Sequence, residues 1–281
     1  MKIIRKITDL RTEISQLRRE GKRIALVPTM GYFHAGHLSL MDVARERTDV
    51  LVVSLFVNPT QFAPTEDLDQ YPRDFERDER LAREHGTAIL FYPEVAEMYP
   101  AKQYSYVVTE ELAGILCGKY RPTHFRGVTT VVAKLFNIVQ PDLAVFGQKD
   151  HQQAIIIRKM VEDLNFPVEV VVAPIVREAD GLAMSSRNIY LSPAERRDAP
   201  RIHRALQAAR AAVDAGERSA ARIHDLIAAE IGQSELAERQ YIEIVSDRDL
   251  AGRARIEAGT FVAVAVYYGK TRLIDNIYLM P

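Results

Sequence analysis

Two histidines, His34 and His37, lie three positions apart in the run Pro28-Thr29-Met30-Gly31-Tyr32-Phe33-His34-Ala35-Gly36-His37, between an apolar segment and an amphipathic one. Read as a strand-to-helix turn, this run offers free backbone N–H groups and a helix dipole, the two features that attract an anion. Gly36 lets a ligand come close to the backbone. The spacing from Gly31 to Gly36 mimics a Walker A loop, but His37-Leu38 stands where Lys-Ser/Thr should follow, and there is no GxGxxG for a dinucleotide. What is left is His-x-Gly-His at a helix start, with two imidazoles able to face one phosphate. Near a helix N-terminus an imidazole tends to be neutral and can donate a hydrogen bond that strengthens as charge develops on a phosphate oxygen. The plainer alternative is one capping and one surface histidine; the loop position and the intervening glycine favour the chemical reading.

Other residue types in turns could assist. Asn58 and Gln61 carry amides that both donate and accept, which suits the hydroxyls and carboxylate of a small hydroxy acid; an Asn-Pro turn with a solvated Gln is the alternative. In Gly147-Gln148-Lys149-Asp150 the ammonium is a point charge suited to a phosphate, and the carboxylate could take a ribose hydroxyl or a hydrated metal. Met184-Ser185-Ser186-Arg187, after Val176 and the turn at Ala179-Asp180-Gly181, supplies two hydroxyls and a guanidinium for outer phosphates. Arg121, His124 and Arg126 could rim a carboxylate or phosphate site or be ordinary surface charges. The irregularly spaced Glu66, Asp67, Asp69 and Asp74 read as a solvated face rather than a metal site.

These turns need elements to hold them. Ile3 to Glu20 has helical spacing; Ile24 to Val27 reads as a buried strand closed by Pro28, Leu38 to Arg47 as a helix and Val50 to Val57 as a second strand. The alternation continues with a helix at Asp74 to His85, a strand at Ala88 to Phe91, a helix at Val128 to Val139, a strand at Leu143 to Phe146, a helix at Asp150 to Leu164 and a strand at Val168 to Val172. This is an α/β pattern with a parallel sheet, in which ligands gather beyond the carboxyl ends of the strands. Near residue 175 the pattern changes. Ser192-Pro193-Ala194-Glu195 opens one helix running to about Asp214, a second spans Ala220 to Gly232, and strands follow at Tyr241 to Val245, Phe261 to Tyr268 and Leu273 to Tyr278, a smaller α+β part. The expected division is 1–175 and 176–281.

Composition sets limits on the chemistry. The 281 residues carry 37 Lys plus Arg against 38 Asp plus Glu, a formal charge of −1, which argues against a general nucleic-acid binder. The single Cys117 fits a packing role in a reducing compartment. The N-terminal residues lack the apolar run of a signal peptide, and no stretch suggests a membrane span, so a cytoplasmic protein is expected.

The His-x-Gly-His element resembles the HIGH motif of the nucleotidyltransferase superfamily. With Phe56-Val57-Asn58-Pro59-Thr60-Gln61-Phe62, Gly147-Gln148-Lys149-Asp150 and Met184-Ser185-Ser186-Arg187-Asn188 in the same order, the chain resembles the pantothenate synthetase (pantoate-beta-alanine ligase) family over nearly its whole length. The resemblance implies a Rossmann-like nucleotide- and pantoate-binding domain with a smaller C-terminal α+β lid domain. It implies condensation of pantoate with beta-alanine through a pantoyl adenylate, with ATP as substrate, Mg2+ accompanying it, and a homodimer. It further implies His34, His37 and Lys149 in catalysis. ATP contacts would come from Met30 to His37, among them Tyr32, Phe33 and Ala35, from Gly147, Gln148, Lys149 and Asp150, and from Val176, Met184, Ser185, Ser186 and Arg187. Gln61 and Gln153 would take pantoate; the amide chemistry of Asn58 adds it to the pantoate site, and the apolar Phe62 suits the dimethyl group. No protein metal ligands, nucleic acid or membrane are expected. A transferase that keeps the nucleotide in its product, and a non-catalytic ATP sensor, are the two alternatives.

Overall fold

The computed structural model describes residues 1–64 and 66–280, and by internal contacts the chain divides into two compact units. The first comprises Met1–Gly114, Gly118–Gly147 and Ile156–Pro174; the second comprises Ile115–Cys117, Gln148–Ile155 and Ile175–Pro281. The sequence reading drew one boundary at 175/176, whereas the short pieces 115–117 and 148–155 group with the second unit.

Six parallel strands form the sheet of the first unit: β1 (Lys2–Ile4), β2 (Ile24–Thr29), β3 (Val50–Leu55), β4 (Ile89–Phe91), β5 (Leu143–Gly147) and β6 (Glu169–Ala173). Their order is β1-β4-β3-β2-β5-β6, so chain connections leave β2 in opposite directions toward β3 and β5, a topological switch point. Helices α1 (Ile7–Arg19), α2 (Ala35–Arg47), α3 (Phe75–Glu84), α4 (Val95–Met98), α5 (Cys117–Tyr120), α6 (His124–Val139) and α7 (His151–Asp163) connect these strands or lead into the second unit. Every residue of β3 is buried, as a strand covered on both faces requires. On one face Ala25, Val27, Leu51, Val53 and Leu90 pack with Leu40, Met41 and Ala44 of α2 and Ala82 of α3. On the other, α6 meets β2 and α1.

Several boundaries differ from the sequence reading. The expected helix from Ile3 begins only at Ile7, because Lys2–Ile4 is an edge strand in register with Ile89–Phe91. Strand β2 continues through Pro28 to Thr29. Thr29 O accepts the Phe56 N–H and so faces β3; its neighbour Pro28 faces the β5 side, where pairing ends at Leu26, and the missing N–H costs no ladder bond. Helix α6 starts four residues before the expected Val128, which places His124 and Arg126 on it.

The second unit has an antiparallel sheet, β7 (Ala237–Ser246), β8 (Thr260–Tyr268) and β9 (Thr271–Met280), in that order, with helices α8 (Pro193–Asp198), α9 (Arg201–Asp214) and α10 (Ala220–Ile231). Its core joins Ile202, Leu206 and Val213 of α9, Ile223 and Ile227 of α10, and Val262, Val264 and Val266 of β8. The single helix expected from Ser192 to Asp214 is two, because Pro200 cannot donate to the helical ladder. Ser192 and Glu195 form the expected capping box, with Pro193 at the first helical position.

Candidate functional site

The turn after β2 makes two left-handed steps, Gly31 at φ +86° and Tyr32 at φ +52°, before His34 caps α2. The second step, on a residue with a side chain, costs about 1–2 kcal/mol. A buried carboxylate holds the turn: Asp78 of α3 accepts the N–H groups of Tyr32 at 2.6 Å and Phe33 at 2.7 Å. A Cβ on residue 31 would lie 2.9 Å from Asp78 Oδ2, so only glycine fits there. Burial raises the Asp78 carboxyl above its ordinary value, outweighing its two N–H bonds and the nearby Arg77 charge.

The histidines form a reciprocal capping box. His34 Nδ1 accepts the Gly36 N–H at 3.1 Å, and His37 Nδ1 accepts the His34 N–H at 3.4 Å, with ring centroids 4.1 Å apart. An Nδ1 that accepts a backbone N–H leaves the ring proton on Nε2, so each imidazole presents Nε2–H as a donor. The capping and chemical readings of these histidines are therefore compatible. The expected anion site built on free backbone N–H groups is not what the turn provides: the amides of Tyr32, Phe33, His34, Gly36 and His37 already have partners within the protein. Phe33 is wholly buried and can contribute only backbone. A cleft of about 350 Å3 opens beside this turn, lined by Met30, Gly31, Phe56, Asp78 and Tyr92 among others.

Past β3, Asn58 is 1% exposed and its amide is spent on the protein. Its Nδ2 donates to Gln61 Oε1 and Gly127 O, both at 3.1 Å, while Oδ1 accepts from the Thr60 N–H and hydroxyl and from Tyr99 OH. Asn58 thus holds Gln61 through this network. Gln61 Nε2 donates to Met30 Sδ at 3.1 Å, joining this turn to the one after β2. Gly127 lets α6 seat directly on it, since a Cβ there would stand 2.4 Å from Thr60 O. Arg121 and His124 also reach this turn: His124 Nδ1 is 2.9 Å and Arg121 Nη2 3.4 Å from Gln61 O. Glu66 is not part of a solvated face. It pairs with Arg121 at 2.6 and 2.7 Å, and although burial raises its carboxyl, the Arg121 hydrogen bonds and charge hold it below the ordinary value. Arg126 stacks on Tyr106 instead. Asp74 caps α3.

In the second unit, Gln148–Asp150 is a 3-10 turn leading into α7, and Lys149 shares a small cavity with Ala183, Ser185 and Asp275. Lys149 Nζ stands 3.7 Å from the half-exposed Asp150 carboxylate. Asn276 of β9 holds the turn from beneath, its Nδ2 donating to the carbonyls of Gln148 at 2.8 Å and Lys149 at 3.1 Å. Asp275 beside it, 4% exposed, receives Arg177 through both guanidinium ends at 2.6 and 2.9 Å. Residues 176–184 fold back on themselves: the Met184 N–H donates to Val176 O, and Arg177 bridges to Ala183. Arg196 clamps Glu178 and Asp180 at 2.5 and 2.6 Å, and its hydrogen bond holds the Asp180 carboxyl below the ordinary range. Ser185 caps the 3-10 turn Ser186–Tyr190, which includes Arg187. Gln153 is half-buried on the first turn of α7.

Within the first unit the structure brings together Met30 to His37 with Asn58 and Gln61, and within the second Lys149 with Ser185. The sequence reading missed Asp78, Asn276, Arg177 and Asp275. For Asp275 and Asn276 the signal is polarity inside an apolar strand, Leu273-Ile274-Asp275-Asn276-Ile277, with an acid on one face and an amide on the other, whereas Asp78 sits among the charges of its own helix. No group of three or more His, Cys, Asp or Glu is arranged to hold a metal ion among the described residues.

The His-x-Gly-His capping box thus follows the strand at the switch point of a parallel α/β sheet. A profile of the pantoate-beta-alanine ligase family matches residues 2–278. The chain is 51% identical over 279 residues to a pantothenate synthetase of Geobacillus thermodenitrificans, covering 99% of this chain and 96% of that one. It is 54% identical over 280 residues to that of Syntrophotalea carbinolica, covering 100% and 99%. The crystal structure of pantothenate synthetase from Thermus thermophilus superposes with a TM-score of 0.95 at 43% identity over both full chains. A pantoate-beta-alanine ligase from Francisella tularensis, complexed with beta-gamma ATP and beta-alanine, superposes at 0.82 with 32% identity, covering 99% and 98%. The chain belongs to the pantoate-beta-alanine ligase family.

Proposed function

We propose that this chain condenses pantoate with beta-alanine at the expense of ATP through an enzyme-bound pantoyl adenylate. A pantoate carboxylate oxygen attacks the α-phosphorus of ATP, the bond to the bridging oxygen breaks and pyrophosphate leaves. The beta-alanine amine then attacks the acyl carbon, AMP leaves and the nitrogen loses a proton. The observation that supports this reading is the capping box, whose Nδ1 acceptors leave the ring protons of His34 and His37 on Nε2, the atoms that would donate to charge developing on phosphate. His37 donates to the leaving oxygen. Lys149, Ser185, Ser186 and Arg187 secure the triphosphate, Asp150 takes the ribose, and Gln61 and Gln153 orient pantoate, Gln61 being held by Asn58. Magnesium accompanies the nucleotide, bound mainly by phosphate oxygens and water, and neutralises their charge.

No described helix is long and apolar enough to cross a membrane. A cytoplasmic homodimer fits the chain, and Tyr104, Tyr106 and Val108, which stand 83%, 44% and 54% exposed, favour a covered surface on the first unit. Light scattering tests the oligomer. The chemistry is tested by identifying products from ATP, pantoate and beta-alanine: AMP, pyrophosphate and pantothenate are expected. Retention of the nucleotide in the product, or no pyrophosphate at all, rejects the reading.

A further inference from the structure

We propose that Asp78 is a positioning residue for adenylate formation, a buried anion on α3 that holds the His34–His37 donors in place through the backbone of Tyr32 and Phe33. The inference rests on the function proposed above and adds to it a residue outside every motif of the sequence. Three observations carry it. The carboxylate is 1% exposed, and both its oxygens are aimed at consecutive amides of the turn, at 2.6 and 2.7 Å. Those amides belong to residues directly before His34, and Tyr32 is in a left-handed conformation that a non-glycine residue adopts only when held. The approach of the carboxylate excludes any side chain at residue 31. The chain thus spends a buried charge, 44 residues after His34 in sequence, on the geometry of a turn that α2 alone does not specify. Burial works against the charged form and the two N–H groups favour it, so the carboxylate depends on the turn that it holds.

An amide cannot replace this carboxylate. In Asp78→Asn the oxygen can accept one N–H, but the NH2 group meets the other donor to donor, and the turn must shift. Pyrophosphate release in a single turnover with ATP and pantoate measures the first half-reaction; beta-alanine consumption with supplied pantoyl adenylate measures the second. Asp78→Asn is expected to slow the first by about 10²-fold, in kcat more than in the KM for ATP, and to leave the second within about threefold. Gly31→Ala attacks the same contact from the turn side without altering the acid and should slow the first half-reaction as well. In NMR spectra the Tyr32 and Phe33 amide protons should move upfield in Asp78→Asn, as strong bonds to an anion are lost. Unshifted amides, or a first half-reaction within about threefold of wild type in both variants, or equal loss of both half-reactions, would overturn the proposal. Absence of AMP and pyrophosphate from the wild-type protein would instead reject the proposed function, while the amide shifts still judge the anchor.

Discussion

The two units immobilise their chemical turns with opposite polarity. In the first, an acid accepts backbone N–H groups, Asp78 from Tyr32 and Phe33; in the second, an amide donates to backbone carbonyls, Asn276 to Gln148 and Lys149. The difference follows from what each turn must leave exposed. A turn presenting a lysine to phosphate should hide its carbonyl oxygens, which would repel the anion, and Asn276 turns two of them inward. The turn before α2 presents ring donors instead, so its backbone amides can be given to the protein. Donor geometry in one unit and charge presentation in the other are therefore separable by mutation.

The largest effect expected is on folding of the second unit. Arg177→Ala leaves Asp275, 4% exposed, without its cation, a loss of about 3–5 kcal/mol for a buried pair broken on one side. Denaturant unfolding should show a lower midpoint; an unchanged one would mean that the pair does not support the 176–187 loop. Next comes chemistry. His37→Ala should slow adenylate formation by about 10²–10³, the range for losing one oriented donor. Lys149→Ala should likewise impair pyrophosphate release more than the reaction of supplied adenylate with beta-alanine. Equal impairment of both steps would remove Lys149 from the phosphates and with it the charge-presenting role of the second unit.

Asn276→Asp sharpens the comparison as the mirror of Asp78→Asn. A carboxylate beneath the carbonyls of Gln148 and Lys149 offers them no donor, and each acceptor left unsatisfied costs about 1–3 kcal/mol. The expected readout is weaker ATP binding by calorimetry, with the response to beta-alanine unchanged. Unaltered ATP affinity would show that the turn holds its shape without the amide.

Much of this arrangement is legible in the sequence where the determining contacts are local. The His34–His37 capping box lies within four residues, and the α/β alternation is visible in runs such as Val50 to Leu55, whose burial on both faces leaves no polar interruption until Ser54. Reading fails where distant chain decides. Lys2–Ile4 follows the helical periodicity of the residues after it, yet becomes a strand because β4, 87 residues later in register, offers an unpaired edge. Asp78 looks like one more acid in the charged helix Phe75–Glu84, and only the fold brings it to Tyr32 and Phe33. Asn58 shows the complementary case: an amide in a turn suits a ligand, but only the fold brings Gly127 and Tyr99 from other elements to engage it.

The smallest expected effect concerns Glu66, whose pairing with Arg121 braces the backbone of Gln61 within the first unit. Both side chains are mostly buried, 21% and 16% exposed, so the pair is worth about 1 kcal/mol and more than a typical surface bridge. Burial alone would raise the acid, but Arg121 prevails and its folded-state value lies below that of the unfolded chain. An acid depressed on folding binds fewer protons in the native state, so its contribution is complete above the ordinary glutamate value and disappears as pH falls through the depressed one. Glu66→Gln should therefore lower the Tm at pH 7, and the gap from wild type should narrow steadily below about pH 4.5. A gap that stayed constant with pH would assign the stabilisation to packing of the side chain, and the Gln61 turn would then owe nothing to the charge beside it.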